Sequence, residues 1–208
     1  MPPAIRIAPQ LAEAVRELHY DPLTWVRVMY PWGTGILAGE DGPDVWQEQV
    51  LRGIGLHLAP QGIPKLETGT INSSTSSLPN PSKSDSYRLA IASGHGIGKT
   101  ALLAWVIDWF CNTRPHCQII VTSNTETQLA TKTWRELAKW GKLSRVKQKD
   151  GSSLFEWTAT KYYMKQHPET WFASAIPWNE SRPEAFAGTH EKDVLVIFDE
   201  ASAIPDVI

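Results

Sequence analysis

A glycine-rich segment between two apolar runs is the strongest constraint on how this chain can fold. The segment, residues 93–100, reads Ser-Gly-His-Gly-Ile-Gly-Lys-Thr, and it lies between the apolar runs 89–92 and 101–110. Glycines let a chain turn so that its backbone N–H groups face inward, and a helix that begins after such a turn presents its positive end to an anion. The pattern therefore predicts a strand, a phosphate-binding loop and a helix, in this order.

The polar residues of this Gly-rich loop suit a nucleoside triphosphate bound with Mg²⁺. We expect Lys99 to reach the terminal phosphates and the Thr100 hydroxyl to take one position on Mg²⁺. Backbone N–H groups around the phosphates are expected from Ser93, Gly94, Gly96 and Gly98. The match to G-x-x-x-x-G-K-[ST] is incomplete, because Ser93 stands at its first glycine position.

A second motif follows about a hundred residues later, where the apolar run 194–198 ends in Asp199 and Glu200. Such a run is typical of a central parallel strand, and a carboxylate at its carboxyl end faces the ligand crevice of an α/β sheet. We expect Asp199 to hold Mg²⁺ and Glu200 to orient and polarise the attacking water. Taken alone, the motif also fits a buried strand that is followed by a solvated acidic turn. Both motifs in this order favour a site for triphosphate hydrolysis.

Composition limits the remaining function classes. A chain of 208 residues with 42% hydrophobic and 20% charged residues is globular and forms one or two domains. The net charge of −2 excludes a globally basic nucleic-acid binder, so any such contact must be local. Cys111 and Cys117 lack zinc-site spacing and are predicted to be core residues in a reducing compartment. No apolar run has the length of a membrane span, and the N-terminus has no signal-peptide pattern.

Three sections are predicted along the chain. Residues 1–68 form a helical N-terminal section, with helices at about 10–20 and 45–57. Residues 69–86 are rich in Ser, Pro and Asn and are expected to be a flexible polar loop. Residues 87–208 form an incomplete nucleotide-binding core.

Within this core, strands and helices are expected to alternate. The predicted elements are a strand 88–93, a helix 99–112, a strand 118–123, a helix at about 126–142, a hairpin between 153–159 and 171–175, and a strand 194–198. Alternation of this kind predicts a three-layer α/β/α fold with a mostly parallel sheet. A strand between the two motifs indicates the ASCE class of P-loop NTPases, which carries such an extra strand.

Several segments together resemble the N-terminal ATPase domain of the terminase large subunit, the DNA-packaging motor protein of tailed bacteriophages. The resemblance extends from about residue 20 to 208. It rests on residues 30–33 (Tyr-Pro-Trp-Gly), 45–47 (Val-Trp-Gln), 93–100, 121–128 (Val-Thr-Ser-Asn-Thr-Glu-Thr-Gln), 186–188 (Phe-Ala-Gly) and 196–202 (Val-Ile-Phe-Asp-Glu-Ala-Ser).

The resemblance implies an enzyme in which hydrolysis of ATP with Mg²⁺ drives double-stranded DNA into a prohead. The implied partners are duplex DNA, the small terminase subunit, the portal protein and further copies of the chain in a ring, in the cytoplasm of a bacterial host and without a membrane. Terminases carry a nuclease domain beyond this region. Because the sequence ends shortly after Glu200, we expect a truncated ATPase without nuclease activity, and hydrolysis by the chain alone is left open.

Two segments have both a functional and a structural interpretation. In the family, a glutamine upstream of the phosphate loop contacts adenine, and Gln47 matches it, with Trp46 beside it. The alternative is that Gln47 caps its own helix together with Asp44 and that Trp46 is a core residue. Residues 122–128 match a segment that contacts DNA in related motors, but they also suit an ordinary helix N-cap at Ser123 or Thr125.

A basic row lies on the helix that follows. Its members recur every three or four residues, which places them on one helical face: Lys132, Arg135, Lys139 and Lys142. Such a row suits sequence-independent binding to duplex phosphates, and equally a solvated helix face. Trp134 and Trp140 are predicted to face the core.

His95 occupies a position where the family often has an arginine that stabilises charge on the γ-phosphate. A neutral imidazole cannot replace a guanidinium as a permanent cation, so we do not assign His95 a catalytic role. The arginine is instead expected to be Arg182 or Arg114, or to come from a neighbouring subunit. The alternatives to a packaging motor are a helicase-like DNA-dependent ATPase and a catalytically silent prophage-derived fragment.

Overall fold

The structure is a computed structural model, and it describes residues 9–59, 87–92, 96–123, 125–177 and 191–200. Several predicted features lie outside these residues. They are the polar loop 69–86, the loop residues Ser93, Gly94 and His95, the candidate Arg182, and the segment 186–188.

The described strands form one mixed five-stranded sheet in the order β2-β3-β4-β1-β5. The strands are β1 (Gln118–Thr122), β2 (Phe155–Trp157), β3 (Lys161–Met164), β4 (Phe172–Ala175) and β5 (Val194–Phe198). Strand β1 pairs in parallel with β4 on one side and β5 on the other, while β3 runs antiparallel to both β2 and β4. The α/β class with a parallel centre is therefore confirmed.

The helices agree with the periodicity of the sequence. They are α1 (Pro9–Glu17), α2 (Pro22–Met29), α3 (Val45–Leu58), α4 (Lys99–Thr113), α5 (Glu126–Gln128) and α6 (Arg135–Leu143). The predicted helix at about 126–142 contains a π-helical turn, Leu129–Trp134, which connects α5 to α6. None of the described helices is long and apolar enough to cross a membrane.

Two of the strand predictions are wrong. Residues 87–92 adopt no regular strand, and Leu89 is 48% exposed, because a strand forms only beside a neighbour and no described strand pairs with this segment. The predicted hairpin between 153–159 and 171–175 is also absent. Strand β2 pairs instead with β3, which periodicity missed, and β4 joins β3 to β1.

The two faces of the sheet differ in burial at its β5 edge. Ile119, Val121 and Ile197 are buried in the same core as the apolar side chains of α4. On the opposite face Val194, Val196 and Phe198 are 38%, 41% and 38% exposed. The described residues thus provide one helical layer on the sheet, and a three-layer arrangement stays a prediction.

The core is continuous between the N-terminal helices and α4. Trp25 of α2 is fully buried in the cluster that contains Trp105 of α4 and Trp140 of α6. The Trp32 indole packs against both Trp105 and Trp140, with ring centroids 5.7 and 5.5 Å away. The burial of Trp134 and Trp140 confirms their prediction as core residues. Cys111 and Cys117 are both free and buried, as expected of core cysteines.

Asp108 is a carboxylate at the centre of this apolar core, with 1% of its surface exposed. The Tyr30 hydroxyl donates to Oδ2 at 2.9 Å, the Tyr162 hydroxyl to Oδ1 at 2.8 Å, and the Asn112 amide to Oδ1 at 2.9 Å. Burial raises the pKa of Asp108, although hydrogen bonds from Tyr162, Tyr30 and Ser144 and the nearby Lys147 ammonium oppose the rise. The carboxyl group thereby joins the end of α2, helix α4 and strand β3 through hydrogen bonds.

Candidate functional site

The topology brings the two sequence motifs to one edge of the sheet. Helix α4 has 15 residues and is about 22 Å long, and a tight turn, in which the Cys117 N–H donates to the Arg114 carbonyl, connects it to β1. The helix therefore runs back along the sheet, and Lys99 at its start lies towards the edge where β1 ends. Because β5 is parallel to β1, Asp199 leaves the sheet at that same carboxyl edge.

The described part of the Gly-rich loop has the backbone geometry of an anion-binding turn. Gly96 and Gly98 have φ angles of 76° and 86°, a left-handed conformation that is open to glycine and strained for other residues. The N-cap residue Gly98 has no side chain with which to cap α4, and the first turn of this helix holds no acidic residue. Its N–H groups and the positive end of its dipole suit an anionic ligand at this position.

Gln47 ties helix α3 to the Gly-rich loop. Its Oε1 accepts from the Asp44 N–H at 2.8 Å in a capping box, and its Nε2 donates to the Gly98 carbonyl at 3.0 Å. The side chain is 4% exposed, and a Cβ atom at Gly98 would lie 2.7 Å from Nε2. The capping interpretation is confirmed, and Trp46 packs against the core. The adenine contact of Gln47 stays a prediction.

Asp199 is held at both its backbone and its side chain. Its N–H donates to the Thr122 carbonyl at 2.8 Å, and its Oδ2 accepts from the Thr133 hydroxyl at 2.5 Å. Glu200 follows with a φ angle of 57°, which a residue with a side chain rarely adopts. Strain of this kind persists only where the surroundings impose it, and it is concentrated at functional sites.

The oxygen donors at this edge fit a magnesium ion that arrives with a nucleotide. Mg²⁺ usually takes one or two carboxylates and completes its shell with phosphates and water, and Asp199 and Thr100 supply a carboxylate and a hydroxyl. Over the ranges that the structure describes, no cluster of three or more His, Cys, Asp or Glu residues forms a metal site of its own.

Arg114 is unsuited to stabilise charge on a γ-phosphate here. It lies just beyond the far end of α4, about 22 Å from Lys99 along the helix axis. Its guanidinium is buried over the rings of Trp109 and Phe110 and donates to the His19 carbonyl at 3.0 Å. Of the two arginines considered from sequence, Arg182 lies outside the described residues.

The basic row is only partly open to a ligand. Lys132, Arg135 and Lys142 are exposed. Lys139 is less available, because its ammonium lies 3.3 Å from a Glu136 carboxylate oxygen. On the inner side of α6, Leu137 and Trp140 are buried.

The helix N-cap predicted within residues 122–128 is confirmed. The Thr125 hydroxyl accepts from the Gln128 N–H at 3.2 Å and caps α5, while the Ser123 hydroxyl donates to the Thr125 carbonyl. Contact of residues 122–128 with DNA stays a prediction.

Thr133 and Asp108 were not found from the sequence. A threonine within an amphipathic helix gives no signal of a long-range partner, so Thr133 could not have been predicted. Asp108 did carry a signal, because a carboxylate within the apolar run 101–110 must be paired if the run is buried.

Comparisons with protein families, with curated proteins and with solved structures found no match to this chain. The assignment of a function therefore depends on the residues of the site and on the resemblance of its motifs.

Proposed function

We propose that this chain is the ATP-hydrolysing motor domain of a terminase large subunit, a P-loop NTPase of the ASCE class that drives double-stranded DNA into a phage prohead. One observation carries the proposal. The left-handed glycine turn that begins α4 and the Asp199–Glu200 turn that ends β5 both lie towards the carboxyl edge of the parallel strands. Ligands of open α/β sheets bind at this edge.

Positioning and charge neutralisation account for the chemistry. Lys99 and the N–H groups of Gly96 and Gly98 bind the phosphates, and Thr100 and Asp199 hold Mg²⁺, which when bound neutralises charge on the phosphate oxygens. Glu200 orients a water molecule and accepts its proton as that oxygen attacks the γ-phosphorus. The bond between the γ-phosphorus and the β,γ-bridging oxygen breaks in the same displacement, so that ADP and inorganic phosphate leave. Gln47 stabilises the loop by donating a hydrogen bond from its Nε2 to the Gly98 carbonyl, while its Oε1 accepts from the Asp44 N–H within the capping box of α3.

The basic row supplies the contact to DNA. Exposed cations in a row bind duplex phosphates without reading sequence, which a packaging motor requires. The small terminase subunit and the portal protein are the proposed partners, in the cytoplasm of the bacterial host. In a ring of such chains, the arginine at the γ-phosphate comes from Arg182 or from the neighbouring subunit.

ATP hydrolysis with and without duplex DNA tests the proposal. We expect Lys99→Ala and Glu200→Gln each to lower turnover at least about a hundredfold, because each removes a group that acts on the transition state. Lys192→Ala is the matched control, since this exposed lysine precedes β5 at the opposite edge of the sheet.

The same assay separates the alternatives. Unchanged turnover in a folded Lys99→Ala variant would contradict the assigned site. Strand separation coupled to hydrolysis would identify a helicase-like ATPase, and nucleotide binding without hydrolysis would identify a catalytically silent fragment.

A further inference from the structure

Thr133 bonds to the carboxylate that is proposed to hold the metal. Its side chain is 0% exposed, and its hydroxyl donates to Asp199 Oδ2 at 2.5 Å. Within the described residues, Thr133 is the only side chain bonded to that carboxylate. Because the Asp199 N–H continues the ladder between β1 and β5 by bonding to Thr122, the carboxylate is oriented from two sides. The Thr133 bond holds one of the two carboxylate oxygens in place.

The π-helical turn makes this bond compatible with the packing of α6. A residue inserted into a helix rotates the parts on its two sides by about 100° relative to each other. Helix α6 buries Leu137 and Trp140 in the core shared with α4, while Leu129 and Thr133 of the π-helical turn are buried and Thr133 reaches the end of β5. Turns of this kind are rare and are frequently found at functional sites.

The same turn carries the beginning of the basic row. Lys132 and Arg135 are exposed and lie one and two residues from Thr133 along the chain. A phosphate backbone bound by these two cations therefore acts on the segment whose buried hydroxyl orients Asp199.

We propose that Thr133 is a positioning residue that sets the affinity of Asp199 for Mg²⁺, and that the π-helical turn couples DNA on the basic row to this carboxylate. The inference rests on the proposed function, because it takes Mg²⁺ with a nucleotide and duplex DNA as the two ligands. It adds a physical connection between the two sites that neither motif indicates.

Binding of Mn²⁺ in place of Mg²⁺ tests the positioning role without relying on turnover. Electron paramagnetic resonance measures free Mn²⁺ in the presence of a non-hydrolysable ATP analogue. We expect Thr133→Val, which keeps the shape and removes the donor, to weaken Mn²⁺ binding about tenfold or more, because residues that orient a metal ligand typically contribute that much. Thr133→Ser retains the hydroxyl and should restore most of the affinity.

Thr131→Val is the matched control. Thr131 lies in the same turn and is exposed, and among the described residues its hydroxyl donates only to the Thr127 carbonyl, so its replacement should leave Mn²⁺ binding unchanged. If the valine variant at position 133 does not fold, Thr133→Ala removes the same donor with a smaller side chain. Unaltered or tighter Mn²⁺ binding in a folded variant without the hydroxyl overturns the role of Thr133.

Duplex DNA added to the same titration tests the coupling. We expect DNA to change the Mn²⁺ affinity of the unaltered chain and of Thr131→Val, and to have no such effect in Thr133→Val or in the double variant Lys132→Gln, Arg135→Gln. A DNA effect that persists in Thr133→Val, or no effect in the unaltered chain, overturns the coupling.

Binding of a fluorescent ATP analogue separates this inference from the proposed function. A chain that binds no nucleotide, or binds it equally well after Lys99→Ala, contradicts the proposed function. If nucleotide binding depends on Lys99 but the affinity for Mn²⁺ is the same with and without the Thr133 hydroxyl, only the inference is contradicted.

Discussion

Asp108 combines a charge with nearly complete burial, and this combination makes its contribution to stability dependent on pH. Burial raises its pKa in the folded protein, so the folded state retains a proton where the unfolded chain, with a pKa of about 3.9, has lost it. The number of bound protons is then larger in the folded state, and linkage requires stability to fall as pH rises through this range. The stabilising contribution is fully present below the unfolded pKa.

Asp108→Asn removes this titration while keeping the size of the side chain. We expect the free energy of unfolding of the unaltered chain, relative to that of the variant, to decrease as pH rises above about 4. Denaturant titrations at a series of pH values measure the difference.

Asp150→Asn is the contrasting control. Hydrogen bonds from Ser152 lower the pKa of the exposed Asp150. The free energy of unfolding of the unaltered chain, relative to that of Asp150→Asn, should therefore increase with pH. A pH-independent difference at position 108 would contradict the assigned titration.

Gln47 offers a second test at the scale of one residue. Both ends of its amide already bond within the chain, to Asp44 and to Gly98. We therefore expect Gln47→Ala to loosen the loop and to weaken ATP and GTP binding by the same factor, as measured with fluorescent analogues of both. A selective loss of ATP would instead identify a direct contact with adenine.

At the scale of elements, the approach of α3 to the 3₁₀ turn Leu18–Tyr20 depends on one glycine. A Cβ atom at Gly55 would lie 2.6 Å from the Tyr20 carbonyl oxygen, and backbone atoms cannot move aside cheaply. We expect Gly55→Ala to lower the free energy of unfolding by about 1–3 kcal/mol, as overpacked positions do.

Gly53→Ala in the same helix should act in the opposite direction. Among the described residues, no atom beyond the backbone of the helix itself lies within 4 Å of a Cβ built there, so the substitution should stabilise the helix by about 0.5–1 kcal/mol. Thermal and denaturant unfolding of both variants measure the contrast, and equal effects would contradict the close approach at Gly55.

Salt dependence tests the basic row. Each phosphate contact contributes about 0.9 to the slope of log K against log salt, so replacing Lys132, Arg135 and Lys142 by Gln should reduce the slope for duplex DNA by up to about 3. Lys139 is left unchanged because it is paired with Glu136.

The matched control replaces three cations elsewhere on the chain, Arg16, Lys165 and Lys192, by Gln. This triple variant has the same net charge, and its slope should stay close to that of the unaltered chain. Equal losses in both triple variants would indicate an effect of net charge alone and would contradict a contact at the basic row.

Local signals predicted helices well and strand pairing poorly. The capping box of α3 involves residues three apart, so it could be read from the sequence alone. The partner of a strand is set by distant residues, and for this reason 88–93 was predicted as a strand and β3 was missed. The π-helical turn could not be predicted from the sequence, because the flanking helices both follow a 3.6-residue period. The hydrogen bond from Thr133 to Asp199 depends on this turn, so it could not be predicted either.

At the scale of the whole molecule, β5 is the last strand of the described sheet and exposes apolar side chains. Val194, Val196 and Phe198 lie on one face of this edge strand. Exposed apolar side chains promote association between chains. We expect light scattering to show concentration-dependent self-association that Val196→Lys reduces.

Leu89→Lys adds the same charge at an exposed apolar residue that lies outside the sheet. It should leave self-association largely unchanged. If both lysine variants reduced it equally, added charge rather than the edge of β5 would be responsible.

The packing of Trp32, Trp105 and Trp140 has an optical consequence. Their ring centroids lie 5.0 to 5.7 Å apart, close enough for the electronic transitions of the indoles to couple and to produce a split circular-dichroism band. Since Trp105 belongs to α4 and Trp140 to α6, any shift between these helices changes the shape of that band. The chain thus contains an intrinsic spectroscopic reporter of helix movement that needs no label.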